Sequence, residues 1–166
     1  MTIQNTCIIY DLDGTISDDA WRRQKFLSFK PTSSSWEAYF SHCGQDNLIN
    51  PHLIDFDHDI VIFTGRPTTT RSLTIGWLRK VGILPPLRWE NMDSLTPDDY
   101  GKYSRVMLFM RESSDFRPNW EVKKDLLENF ITNEPHTEII MAYDDDPAVI
   151  KMYKGQGIPC QLITKG

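Results

Sequence analysis

The chain has 166 residues, 40% hydrophobic and 25% charged, with a formal net charge of -5. Those values describe an ordinary globular chain with material for a core, and the negative balance excludes a broad footprint for duplex nucleic acid or an anionic membrane, though not a local basic cleft. The three cysteines, Cys7, Cys43 and Cys160, form no C-x-x-C pair and fit a reducing, cytoplasmic setting, while no basic leader and no run near the ~20 apolar residues of a membrane span is present.

The first apolar run, residues 7–10, reads as a buried strand that exits into Asp11-Leu12-Asp13-Gly14-Thr15. A tight turn explains Asp13 and Gly14, because Asp-Gly tolerates positive φ, but leaves Asp11 unexplained. In extended backbone residues i and i+2 point to one side, so the two carboxylates can converge, which requires a cation between them or a proton on one. Mg²⁺ suits such a pair, since it takes hard oxygen ligands and few of them from protein. Both readings stand on the local sequence.

Residues 16–58 carry Trp21, Arg22, Arg23, Trp36, Tyr39, Phe40 and a GQDN turn, and read as one or two short helices with loops. A second strand at 60–63 ends in Thr64-Gly65-Arg66, where hydroxyl and amide can donate to phosphate or simply close the strand. Leu73, Trp77, Leu78 and Val81 follow helical spacing. Residues 84–104, rich in Pro and Asp, read as an ordered surface loop or flap. A third strand spans 106–110.

A helix beginning near Asn119 has Val122, Leu126, Leu127 and Phe130 as its apolar stripe, and Lys123 falls inside that stripe while Lys124 falls outside it. The Lys123 ammonium either snorkels to water or meets a carboxylate or phosphate, and the polar groups at the strand ends favour the second. The fourth strand, 139–142, runs into Asp144-Asp145-Asp146-Pro147. Asp146 caps a last helix that begins at Pro147 and ends at Gly155, which leaves Asp144 and Asp145 for other work. A fifth strand spans 160–163. Strands alternating with helices predict an α/β fold with a parallel sheet, whose ligands bind outside the carboxyl ends of the strands.

Asp11-Leu12-Asp13-Gly14-Thr15, Thr64-Gly65-Arg66, Lys123 and Asp144-Asp145, in that order, resemble the haloacid dehalogenase superfamily of aspartyl-phosphate phosphotransferases. The stretches VMLFMRESSDFRPNWEVKKDLL and YDDDPAVIKMYKGQGIPCQLI, with Arg22, are most similar to the 3′-phosphatase domain of phage polynucleotide kinase/phosphatase. The resemblance implies a Rossmann-like three-layer sandwich with a mainly parallel sheet and a minimal cap after the first strand, as a single domain over 1–166 with inserts at about 16–58 and 84–104. It implies Asp11 as nucleophile, Asp13 as proton donor and then base, and Mg²⁺ on Asp11, the Asp13 carbonyl and Asp144, with Asp145 as ligand or anchor. Thr64, Gly65 and Lys123 would hold phosphoryl oxygens, and Arg22, Arg23 and Arg66 would meet the entering phosphate chain. Trp21, Trp36 or Tyr39 would stack on a base, or else form the insert core.

The implied substrate is a phosphomonoester, a nucleotide or a nucleic acid 3′ end, with a small-metabolite or 5′-nucleotide phosphatase as the alternative. No G-x-x-x-x-G-K-[ST] stretch for a kinase half occurs, and Asn119 stands where the family often has Asp. A receiver-type phospho-switch is the rival of another class. There the lysine follows the last acidic motif, whereas Lys123 precedes it here. A catalytically idle phosphate-binding module on the same fold is the other alternative.

Overall fold

A computed structural model describes residues 5–85 and 105–164. Five strands, β1 (Asn5–Tyr10), β2 (Asp59–Pro67), β3 (Val106–Arg111), β4 (Thr137–Asp144) and β5 (Cys160–Leu162), form one sheet in the order β3-β2-β1-β4-β5. Every pairing is parallel. The centre of a parallel sheet is covered on both faces, which is why β1 reads as a continuous apolar run rather than an alternation.

Helices cover both sides. Against Cys7, Ile9, Val61 and Phe63 pack Leu127 and Phe130 of α4 (Asn119–Asn133) and Val149, Ile150 and Tyr153 of α5 (Pro147–Gly155). Against Ile8, Tyr10, Ile60 and Ile62 pack Trp77 and Leu78 of α3 (Arg71–Lys80), with Leu12 and Ile16 from the β1 exit. The α3 stripe differs by one position from its sequence reading. Thr74 is buried and Leu73 is 43% exposed, because Thr74, three and four residues before Trp77 and Leu78, shares their face more closely.

The insert after β1 forms two helices, α1 (Ala20–Phe26) and α2 (Ser33–Ser41), followed by single 3-10 turns at Cys43–Gln45 and Pro51–Leu53. Thr32 and Ser35 cap α2 reciprocally, and Asp146 caps α5 through the Ala148 amide at 2.9 Å. Beyond Pro85, the expected loop over 84–104 lies outside the described residues. Among the described residues no helix is long and apolar enough to cross a membrane.

The connections from β1 through β2 to β3 run one way across the sheet, and β4 returns to the other side of β1. The chain therefore switches direction at β1, and the crevice outside its carboxyl end is where such sheets bind ligands. In β2 the register jumps at the same end, passing from Thr64 to Pro67 while β3 advances only from Met110 to Arg111. That irregularity lifts Gly65 and Arg66 out of the ladder.

Candidate active site

The β1 ladder runs on for one residue, the Asp11 amide donating to the Tyr143 carbonyl at 3.0 Å, so Asp11 sits beside the end of β4 and Asp144. The chain then wraps around the Leu12 carbonyl, which accepts from the amides of Thr15, Ile16 and Ser17. Gly14 makes that wrap possible at φ +87, and a Cβ there would lie 2.1 Å from Asp145 Oδ2. This exit loop brings Asp145 against the β1 motif.

Asp11 is 6% exposed. Its Oδ2 accepts from Thr15 Oγ1 at 2.9 Å and its Oδ1 from Lys123 Nζ at 2.7 Å. The same ammonium donates to Asp144 Oδ2 at 2.5 Å, and Asp144 Oδ1 accepts from the Asp146 amide at 3.0 Å. Lys123 is buried on α4 as the helical register requires, while Lys124 lies outside, 4.0 Å from Glu128. Burial, with the Asp144 charge second, pushes the Asp11 carboxyl up to about 7 against the opposing pull of Lys123. Burial also raises Asp144. Lys123 moves up as well: burial alone would lower it, but the two carboxylates outweigh that.

Asp13 faces different partners. Arg22 Nη2 and Arg66 Nη2 each donate to its Oδ1 at 2.7 Å, and Arg66 Nε reaches both oxygens at 3.1 and 3.2 Å. Burial pushes this carboxyl up, yet the Arg66 and Arg22 guanidiniums outweigh it and leave it below the usual range. Expected from the sequence as phosphate contacts, Arg22 and Arg66 are both 0% exposed. Their remaining donors go to Asp46, Ser17, Thr74 and the Tyr39 carbonyl. Arg22 stacks over the Tyr39 ring at 4.3 Å.

Thr64 is buried at the end of β2, its Oγ1 accepting from the Arg66 amide at 3.2 Å. A Cβ on Gly65 would lie 2.7 Å from Asn119 Oδ1, so glycine is what lets α4 begin this close to β2. Arg111 ties the two together, donating to the Gly65 carbonyl at 3.2 Å and to Asn119 Oδ1. A cleft of about 430 Å³ opens beside the exit loop, lined by Gly14, Asp18, Ile49, Asn50 and Thr164 among others.

A family model described as the polynucleotide kinase PNKP phosphatase domain matches residues 5–166. The chain belongs to that family. It is therefore a haloacid dehalogenase-type phosphatase domain, a phosphoric monoester hydrolase. Among solved structures it is similar to a chain of the Pnkp1/Rnl/Hen1 RNA repair complex, at TM-score 0.65 and 21% identity, over 100% of this chain and 44% of that one. The class C acid phosphatase from Bacillus anthracis with tungstate bound matches at TM-score 0.53 and 16% identity, over 94% of this chain and 63% of that one. A haloacid dehalogenase-like hydrolase from Streptococcus pneumoniae matches at TM-score 0.52 and 14% identity, over 100% and 87%. At these identities the likeness carries the fold alone. This phosphatase domain spans less than half the length of the repair-complex protein.

Within the phosphatase domain, the β1, α4 and β4 motifs read from the sequence converge. Carboxylate oxygens of Asp11, Asp144 and Asp145 all lie within 4.8 Å of one another, and the Asp13 side chain is turned to its arginines instead. The charges are unevenly matched. Asp13 and Asp46 meet Arg22 and Arg66 one for one, whereas Asp11 and Asp144 share the single ammonium of Lys123. Excess negative charge on the Asp11 side, in an all-oxygen donor set, fits a hard divalent cation such as Mg²⁺. Asp46 was read only as part of a turn. The signal that points to it is electrostatic: two buried arginines carry two positive charges, and the single carboxylate of Asp13, though it accepts from both, neutralises one.

Of the residues expected to contact the phosphate chain or a base, Arg23 pairs with Asp19, Tyr39 is buried and donates to Asp19 at 2.6 Å, and Trp21 donates to Asp46 at 3.0 Å. Trp36 keeps 42% exposure while packing on Tyr39 and Phe40.

Proposed function

We propose that this chain is a Mg²⁺-dependent 3′-phosphatase of nucleotides or nucleic acid ends, acting as a single domain through an aspartyl phosphate on Asp11. The observation that carries the reading is the division of labour on one exit loop: Asp11 faces Lys123 and Asp144, while Asp13, two residues on, is gripped by Arg22 and Arg66. An Asp11 oxygen attacks phosphorus, the bond from phosphorus to the leaving oxygen breaks, and that oxygen takes its proton from Asp13. Water then attacks phosphorus, its proton passes to Asp13, and the bond from Asp11 to phosphorus breaks to release phosphate.

Asp13 is ionised in the free site, which suits the base of the second step. A dianionic phosphomonoester arriving beside it favours the protonated form needed in the first. Lys123 and the Thr64 hydroxyl and Gly65 amide would hold phosphoryl oxygens, while Arg22 and Arg66 act through Asp13. Asp11, the Asp13 carbonyl, Asp144 and Asp145 are the residues to hold Mg²⁺, which when bound neutralises charge on the transferring group.

The substrate assignment is supported by family membership and by the solved relative in an RNA repair complex. It is also supported by the size of the first insert, whose helices have only 7 and 9 residues, less than an enclosing cap would need. The test is kcat/KM on 3′- against 5′-phosphorylated oligonucleotides, free mononucleotides and sugar phosphates. Preference for the 3′-phosphates is expected. Preference for 5′-phosphates or sugar phosphates overturns the substrate and leaves the phosphatase chemistry standing.

A further inference from the structure

Asp46 lies in the GQDN stretch leaving the insert, 1% exposed, and the chemistry above makes no use of it. Its carboxylate is nonetheless densely held. It accepts from Ser17 Oγ at 2.6 Å, Trp21 Nε1 at 3.0 Å, Arg22 Nε at 2.7 Å and Nη2 at 2.6 Å, and Arg66 Nη2 at 3.4 Å. Its carbonyl accepts from Trp77 Nε1 at 2.9 Å, which fastens this stretch to α3.

The arginines that Asp46 holds are the two that hold Asp13. Arg22 Nη2 donates both to Asp46 Oδ2 and to Asp13 Oδ1, and Arg66 Nη2 reaches the same two oxygens. Asp46 holds the Nε–Nη2 edge of Arg22, whereas on Arg66 that edge grips Asp13 and only Nη2 reaches Asp46, at 3.4 Å; the Asp13 side chain is 13% exposed. A planar guanidinium gripped on one edge by a fixed carboxylate presents its remaining donors in a fixed direction. Without Asp46, two buried cations would converge on a single carboxylate, with only the neutral Tyr39 carbonyl, Ser17 and Thr74 behind them.

We infer that Asp46 is a positioning residue for phosphoryl transfer: through Arg22 and Arg66 it sets the Asp13 carboxyl where the leaving oxygen takes its proton. The inference rests on the proposed role of Asp13 as proton donor. Loss of position at Asp13 has a signature that general loosening of the fold lacks. An alkoxide leaving group needs the proton in the transition state, whereas nitrophenolate departs without it.

The experiment compares wild type with Asp46→Asn on a nucleoside 3′-monophosphate and on p-nitrophenyl phosphate, reading kcat/KM, which reports the first irreversible step. General acid catalysis is worth about 10²- to 10⁴-fold, so Asp46→Asn is expected to lose roughly tenfold to a hundredfold on the nucleotide and less than about threefold on the aryl ester. Trp21→Phe removes one Asp46 donor while keeping both arginines, and is expected to give a weaker loss with the same skew. It decides the matter if Asp46→Asn fails to give a cooperative thermal melt. Equal losses on the two esters, or no loss on either, overturn the inference. Wild-type protein that cleaves neither ester overturns the proposed function itself, a separate result.

Discussion

Replacing Lys123 by Met keeps the length of the side chain and deletes its charge, and the structure predicts damage of two kinds. Lys123 is 2% exposed, and its ammonium is the shared partner of Asp11 Oδ1 at 2.7 Å and Asp144 Oδ2 at 2.5 Å. Deleting one partner of a buried ion pair costs about 3 to 5 kcal/mol, chiefly because the remaining charges stay buried without compensation. For a chain of this size that corresponds to a Tm lower by roughly 6 to 20 °C. A preorganised donor to the transferring phosphoryl is worth ~10² to 10³ in rate, so kcat/KM falls by about that factor. Lys124→Met is the control. Its side chain is 42% exposed and 4.0 Å from Glu128, a contact worth ~0.5 kcal/mol or less, and activity stays within about twofold. Thermal melts in EDTA give the stability arm, and initial rates in saturating Mg²⁺ give the catalytic arm. Mg²⁺ also recovers part of the lost Tm in Lys123→Met, since it places positive charge beside the same carboxylates. Equal effects of the two substitutions, or a Lys123→Met protein with wild-type Tm and rate, would refute the account of this helix and its buried ammonium.

Asp11→Asn and Asp13→Asn are each expected to abolish phosphomonoesterase activity, as is EDTA, and a folded Asp11→Asn protein with wild-type turnover would remove Asp11 as the proposed nucleophile. Gly14→Ala forces a side chain at φ +87 and against Asp145, so it lowers both Tm and activity. Gly157→Ala, at φ +73 with nothing within 4 Å of the new Cβ, lowers Tm alone, and the contrast is read in kcat/KM. The Asp11 carboxyl, pushed up to about 7 in the folded chain, has an unfolded value of about 4. Folding thus takes up a proton between those values, and the stability cost of ionised Asp11 grows as pH rises from about 4 to about 7. In EDTA, Asp11→Asn therefore raises Tm more at pH 8 than at pH 5, and an equal or reversed difference in differential scanning calorimetry contradicts that sign.

Local pattern was enough for much of this architecture. The runs at 7–10, 60–63, 106–110, 139–142 and 160–163 became the five parallel strands; the inner β1 and β2, covered on both faces, read as continuous apolar runs, whereas edge strand β5 carries exposed Gln161 and Leu162. The α4 stripe placed Lys123 in and Lys124 out, since 3.6 residues per turn leaves little freedom once Val122, Leu127 and Phe130 are buried. Asp146 with Pro147 announced the start of α5, because capping is settled within one turn.

What the tertiary structure alone decided is which charges meet. Arg22 and Arg66 read as phosphate contacts with no partner in the chain named for them, and folding buried both against Asp13 and Asp46 across sequence separations of 9 to 53 residues. Tyr39, read as a base-stacking candidate or as insert core, is buried and forms the platform beneath Arg22. Hydrophobic periodicity specifies a face and an element, but it carries no information about the partner a polar side chain finds once that face is covered. That choice is made by desolvation: a buried guanidinium is stable only where the fold supplies carboxylates at hydrogen-bond distance, and distant segments of the chain supply them here.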